Sequence, residues 1–324
     1  ELNKEIKDRV KKFYTIDDNN LSIDNEAKIY WDTSPIGWLT QSDDPLKPNI
    51  QIIQSDLLIH DQIFLITERI KVFLDNLIQK HLSALIKLNT NEKNNSTRGI
   101  IYQIKEGFGS TKIKNIIRLH KNLPKEDKKN LNKLGLRFGV EYLYIPDLLK
   151  PGAVKLRALL WGIVNNTFYK DALPEDGRVA YSPSEEVPKD WYNIIGYSKL
   201  GDRIMRVDMV ERLLALIRIA ARDGLFKITE EMLSIAGASK EQMSKVLMDL
   251  DFELLDQDKN QEITFDTVFK KKKRFIFKHK TKTIKKIKKD KILKKMKNSK
   301  NTITNIKINP DSPFAVLSNL KLKK

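Results

Sequence analysis

Residues 133–161 read KLGLRFGVEYLYIPDLLKPGAVKLRALLW. Residues 138–145 (FGVEYLYI) alternate as a strand does, and Pro146 closes the run. Pro151 suits a first helical turn, where its missing N–H would have no partner anyway. Val154, Leu156, Leu159, Leu160 and Trp161 then give that helix a broad apolar surface. A strand feeding directly into a helix puts both element types in this stretch.

Working upstream, helical spacing dominates. Ile63, Ile66, Ile70, Phe73, Leu77, Ile78, Leu82 and Leu85 recur at three- and four-residue steps. They predict a long helix over 61–88 with Asp61 as its N-cap. Ser96 or Thr97 caps a second helix, ended by Gly107 and Gly109. A third helix is predicted from Thr111 to His120, and a fourth from Pro124 to Gly135. Before all of these, residues 27–40 (AKIYWDTSPIGWLT) read as a hairpin turning near Ser34-Pro35 and Gly37. Residues 49–54 add a strand, and residues 1–20 read as a weak helix or linker.

Working downstream, residues 170–192 read as a loop. Gly201-Asp202 splits 194–207 into a hairpin with a type II′ turn. Asp208 and Glu211 resemble a capping box for a helix over 209–223. Residues 225–265 then run strand (225–228), helix after Thr229, turn at Gly237, and helix 240–250 capped by Ser239 and Gln242. Two strands follow, 252–255 and 262–265. That order is the order of a winged-helix domain. The expected architecture is α+β, mainly α: a helical body with short hairpins, a winged-helix-like unit and a basic C-terminal tail. Its parts are a small β unit with linker (1–60), a helical segment (61–136), a strand–helix and hairpin–helix unit (137–224), the winged-helix-like unit (225–269) and the tail with a terminal docking peptide (270–324).

The 324 residues are long enough for about two domains, and 40% of them are apolar, enough to bury a core. No cysteine occurs, which removes disulfides, zinc–cysteine sites and cysteine nucleophiles. No run of about 18 apolar residues is present, and no signal-like segment follows Glu1, so a cytoplasmic protein is expected. A chain opening on Glu1 reads as a piece of a longer one.

The net charge of +18 is unevenly placed. Residues 270–324 carry 21 Lys or Arg against Asp290 and Asp311, a net of +19. Residues 1–269 sum to −1. A near-neutral body with a basic arm calls for an anionic partner, and nucleic acid is the commonest. A solubilising tail is the bland alternative, and a basic amphipathic helix on a membrane a third, weakened by a ragged apolar face. Lys271, Lys272, Lys273, Arg274, Lys285, Lys286, Lys288 and Lys289 are the candidate phosphate contacts. Phe275 and Phe277 are candidates for stacking on unpaired bases. Arg137 and Arg157 are candidates for RNA channel contacts, against a structural role in the strand–helix unit. Residues 228–269 hold ten acids and three bases, so this unit should be repelled by a nucleic-acid backbone. Residues 309–320 (NPDSPFAVLSNL) look like a docking peptide.

Catalytic constellations are missing. No G-x-x-x-x-G-K-[ST] loop occurs, and Gly107 to Lys112 has the wrong spacing for one. No D-E-x-[DH] motif is available to hold magnesium, and no Q-x-x-G-R motif to supply a charge-stabilising arginine. His60, His81, His120 and His279 stand far apart, and neither Glu185-Glu186 nor Glu230-Glu231 reads as an acid–base pair. Neither a catalytic residue nor a metal site is expected in this chain.

LGLRFGVEYLYIPDLLKP and LRALLW within 133–161 resemble the C-terminal region of a bacterial family of superfamily-two ATP-dependent RNA helicases, related to the helicase of the mitochondrial RNA degradosome. YWDTSPIGWL (30–39), RGIIYQIKEGFG (98–109), IIGYSKLGDRIMRVDMVERLLALIR (194–218), SIAGASKEQMSKVLMDLDF (234–252) and PDSPFAVL (310–317) extend the likeness along nearly the whole chain. These are packing motifs. The resemblance implies an RNA-unwinding parent protein acting in RNA degradation. Its ATP and magnesium would bind upstream motor domains, leaving this region as an accessory module that packs on the motor and holds RNA. The alternative is a non-enzymatic adaptor recruiting a protein partner such as a nuclease.

Overall fold

The computed structural model describes residues 2–53, 55, 57–88, 94–255 and 262–272. Among them the chain is α+β, mostly helical, with small antiparallel sheets.

Helix α1 (Leu2–Tyr14) precedes a four-stranded meander of β1 (Leu21–Ile23), β2 (Lys28–Trp31), β3 (Ser34–Thr40) and β4 (Asn49–Ile52). The β2–β3 hairpin turns at Asp32 (φ +51°), ahead of the expected Ser34-Pro35. Pro35 instead lies in β3 opposite Tyr30, where the register slips and a missing N–H does least harm. Gly37 also lies within β3, because a Cβ there would run into the Gln51 carbonyl oxygen of β4.

Helix α2 (His60–Ile86) buries Ile70, Phe73, Leu74, Ile78, Leu82 and Leu85 against this sheet and the helices that follow. Its cap differs from expectation. Asp61 lies inside the first turn, and the Ile59 N–H donates to Gln62 Oε1 at 3.2 Å. Helix α3 (Asn95–Glu106) is capped by Asn94, whose side chain accepts from the Ser96 N–H at 2.8 Å. Thr97, an expected cap, is buried and donates to Asp127 Oδ2 at 2.8 Å.

The helix expected from Thr111 to His120 is mostly something else. Residues Ser110–Lys112 form β5, and only Ile117–Lys121 are α-helical (α4). Helix α5 (Lys125–Lys133) follows. The single strand expected over 138–145 is a hairpin of β6 (Arg137–Phe138) and β7 (Tyr142–Tyr144), and the sheet order is β5-β7-β6. The connecting backbone is held from far away. Glu211 accepts from the N–H groups of Val140, Glu141 and Tyr142 at 2.6, 2.8 and 2.7 Å.

Helix α6 (Pro151–Asn165) is apolar nearly all round and lies between two cores, as such a helix must. Leu156, Leu159, Leu160 and Ile163 pack on the α2–α3 side. Val154 and Ala158 pack on a cluster containing Trp191, Tyr192 and Tyr197. The loop expected over 170–192 contains β8 (Ala180–Tyr181) and the start of α7 (Lys189–Ile194). Strands β9 (Tyr197–Leu200) and β10 (Arg203–Arg206) form the expected hairpin. Helix α8 (Val207–Ala220) follows. The capping box expected from Asp208 and Glu211 is absent. Asp208 pairs with Arg206 at 2.7 and 2.8 Å, and Glu211 reaches the β6–β7 turn.

The last described part comprises β11 (Leu225–Lys227), α9 (Glu230–Ala236), α10 (Lys240–Asp249), β12 (Phe252–Leu254) and β13 (Val268–Lys271), with sheet order β11-β13-β12. Thr229 caps α9, and Ser239 with Gln242 forms the capping box of α10. The final strand lies six residues beyond the expected 262–265. Phe269 is fully buried in the core, whereas Phe265 stays at the surface with Lys240 over its ring at 4.1 Å. The boundary expected after residue 269 therefore falls inside a strand, and the compact unit runs to Lys272. Residues 225–272 hold seven bases against ten acids, a net of −3. That is a weaker repulsion than the count over 228–269 implied.

Candidate nucleic-acid interface

The expected RNA-binding residues divide into four groups. Lys273, Arg274, Phe275, Phe277, Lys285, Lys286, Lys288 and Lys289 lie outside the described residues, as does the terminal peptide. Lys271 and Lys272 belong to the folded unit, at the end of β13. Lys271 pairs with Phe252 across the sheet. The Lys272 N–H donates to the Asp251 carbonyl at 2.9 Å, and its ammonium reaches the Met248 carbonyl at 3.4 Å. Both side chains face solvent.

Arg157 is a correction. Its side chain is wholly enclosed, so no RNA can touch it. It points from α6 into the junction of three elements. One terminal nitrogen donates to the Leu148 carbonyl at 2.9 Å and the other to Ser110 Oγ at 3.3 Å. The Ser110 hydroxyl in turn donates to the Asn193 carbonyl at 3.0 Å. Desolvation pushes the guanidinium down to about 9, because the charged form has left water. The residue staples β5, the 146–149 turn and α7 together.

Arg137 is exposed on β6. Its guanidinium donates to the Asn132 carbonyl at 3.4 Å, at the C-terminal end of α5. Phe138 packs under this region with His120 of α4 at 5.3 Å and Lys128 of α5 at 5.0 Å. Lys128 Nζ lies 3.4 Å from His120 Nε2. Burial, and then Lys128, hold His120 below its ordinary value. On the other side of the sheet Lys112 is half-buried over the Tyr142 ring at 5.8 Å. Burial lowers its ammonium first, and the neighbouring Lys114 and Lys189 add to the effect.

Residues 112–137 contain nine Lys or Arg and two acids, a net of +7, so the rest of 1–269 carries −8. This surface escaped the sequence reading because a sum over 1–269 cancels it. A running charge count would have found the segment. Contacts such as that between Arg137 and Asn132 needed the fold.

Elsewhere, an apolar groove of about 400 Å³ lies between α1, the first sheet and α2, lined by Val10, Phe13, Trp31, Ile36, Ile52 and Ile66 among others. Among the described residues no group of three or more His, Asp or Glu side chains gathers as metal ligands, and no helix is long and apolar enough to cross a membrane. No family model, no curated protein and no solved structure matches the chain.

Proposed function

We propose that this chain is an RNA-holding accessory module of an ATP-dependent RNA helicase, with no ATP site of its own. The observation that carries the RNA reading is the segregation of charge, with +19 in residues 270–324 beside a body of −1. The helicase context comes from the resemblance along 30–39, 98–109, 133–161, 194–218, 234–252 and 310–317. In this reading the upstream motor domains hold ATP and magnesium. The body braces the motor, and the basic tail grips RNA, with the whole assembly working in the cytoplasm. The reading of 225–272 as winged-helix-like is supported by its element order and its sheet order β11-β13-β12. With a charge of −3 it serves as a packing unit rather than as a reader of duplex grooves.

The test compares the full chain with one ending at Lys272, by RNA affinity across a salt series. The full chain is expected to show a steep slope of affinity on salt, and truncation to flatten it. An unchanged slope after truncation would sink the tail assignment.

A second reading, an adaptor for a protein partner such as a nuclease, is favoured by the apolar groove beside α1 and by the exposure of Leu57, Ile59 and Phe64 near it. Partner capture that survives RNA digestion and is abolished by Phe64→Asp would support it over RNA holding.

A further inference from the structure

Helix α5 exposes Lys125, Lys129 and Lys133 at four-residue spacing, one turn apart on a single face. Arg137 continues the line, tied to the end of α5 through the Asn132 carbonyl. Arg118 of α4 lies exposed on the neighbouring element. Among the described residues, Arg118, Lys125, Lys129 and Lys133 have no ion-pair partner. Asp127, one of the two acids on the segment, is turned inward to the Thr97 hydroxyl. Like charges one helical turn apart work against the helix, so the stripe is not there for folding. Helix α1 is the contrast, since its lysines are interleaved with Glu5 and Asp8.

We propose that the exposed face of α5, continued by Arg137, is a second nucleic-acid site, one that holds the phosphate backbone of an RNA strand without reading its bases. One row of three ammonium groups and a guanidinium fork offer charge and donors to successive phosphates. Phe138 is already covered by His120 and Lys128, so its ring is no platform for a base to stack on. An anionic membrane is the poorer partner. Ile117 and Leu134 are the exposed large aliphatic residues of α4, α5 and their connections, too few to form an apolar face. The site rests on the reading of the chain as an RNA-holding module and is independent of the basic tail.

The test uses the full chain and a fluorescently labelled single-stranded oligouridylate. One variant carries Lys125→Glu, Lys129→Glu, Lys133→Glu and Arg137→Glu. A control carries the same charge change on α1, as Lys4→Glu, Lys7→Glu, Lys11→Glu and Lys12→Glu. The face variant is expected to lose affinity by about tenfold more than the control and to lower the salt slope by about 3, for four lost phosphate contacts on a single strand. A second face variant with Gln at the four positions relieves the like-charge repulsion in α5 and should show the same slope change. Equal losses in face variant and control would overturn the proposal, since only bulk charge would matter. So would an unchanged face variant, and that result would leave the tail assignment intact. Loss on the face with no effect of truncation at Lys272 would support this site and sink the tail. Wild-type protein that ignores RNA but binds phosphatidylserine vesicles would overturn both.

Discussion

Glu211 Oε1 accepts the backbone N–H of Tyr142 at 2.7 Å, across 69 residues of sequence. The same carboxylate takes the N–H groups of Val140 and Glu141, so one side chain of α8 closes the β6–β7 turn. Hydrogen bonds to a carboxylate acceptor are the strong ones. Glu211→Ala is expected to cost about 3 kcal/mol. Glu211→Gln should cost less, since one oxygen remains to accept. Urea midpoints of the two variants and wild type check the order.

Arg157 gives the second prediction. Arg157→Ala leaves a cavity in α6 and strips the Leu148 carbonyl and Ser110 of a donor, and is expected to cost about 3 kcal/mol. Arg157→Met should cost less, because an apolar side chain of similar reach avoids the desolvation that lowers the guanidinium. Neither should change the salt slope of RNA binding. A slope that fell by a full contact in Arg157→Met would return the residue to the RNA surface.

Acid stability should report on Asp18. Hydrogen bonds from Asn76 and then Arg69 hold its carboxyl below the ordinary value of 3.8. The folded state therefore binds fewer protons there than the unfolded chain. The stabilisation is complete above pH 3.8 and is withdrawn as the pH falls through the lower, folded value. Arg69 is buried, and donates at 2.7 Å to both Asp18 Oδ1 and the Ile16 carbonyl. Asp18→Asn leaves that cation short of its carboxylate, and should lower stability near neutral pH while flattening the acid limb. Thermal midpoints across pH 2 to about 7 measure both effects.

The β9–β10 turn offers a test of backbone strain. Gly201 has φ +51°, and a Cβ there would lie 2.6 Å from Lys245 Cβ in α10. Gly201→Ala meets both the left-handed penalty and that collision, and should cost about 2 kcal/mol or more. Asp202→Ala, which removes only the ion pair to Lys245, should cost under about 1 kcal/mol. Chemical denaturation of the pair separates the two terms.

Signals carried by neighbouring residues were legible in the sequence. Ser239 and Gln242 bond each other across three positions, Thr229 caps its own helix, and Pro151 opens α6. Features decided by distant partners were not. Glu211 has the spacing of a capping residue, yet its donors lie on another element. Phe265 and Phe269 both suit a strand, and only the closed core between β11 and β12 selects Phe269. Arg157 reads as a free cation until the two cores close around α6. The charge of α5 is visible residue by residue and vanishes in any sum over the body.

Strand β13 lies in the middle of its sheet, bonded to β11 on one side and β12 on the other. It is also the last described strand before residue 273. A pull along the chain from its C-terminal side therefore loads two ladders at once. The inter-strand bonds run across the strands, so such a force shears them together and does not peel them one by one. Tension applied at residue 273 would therefore arrive at the central strand of this sheet, not at an edge.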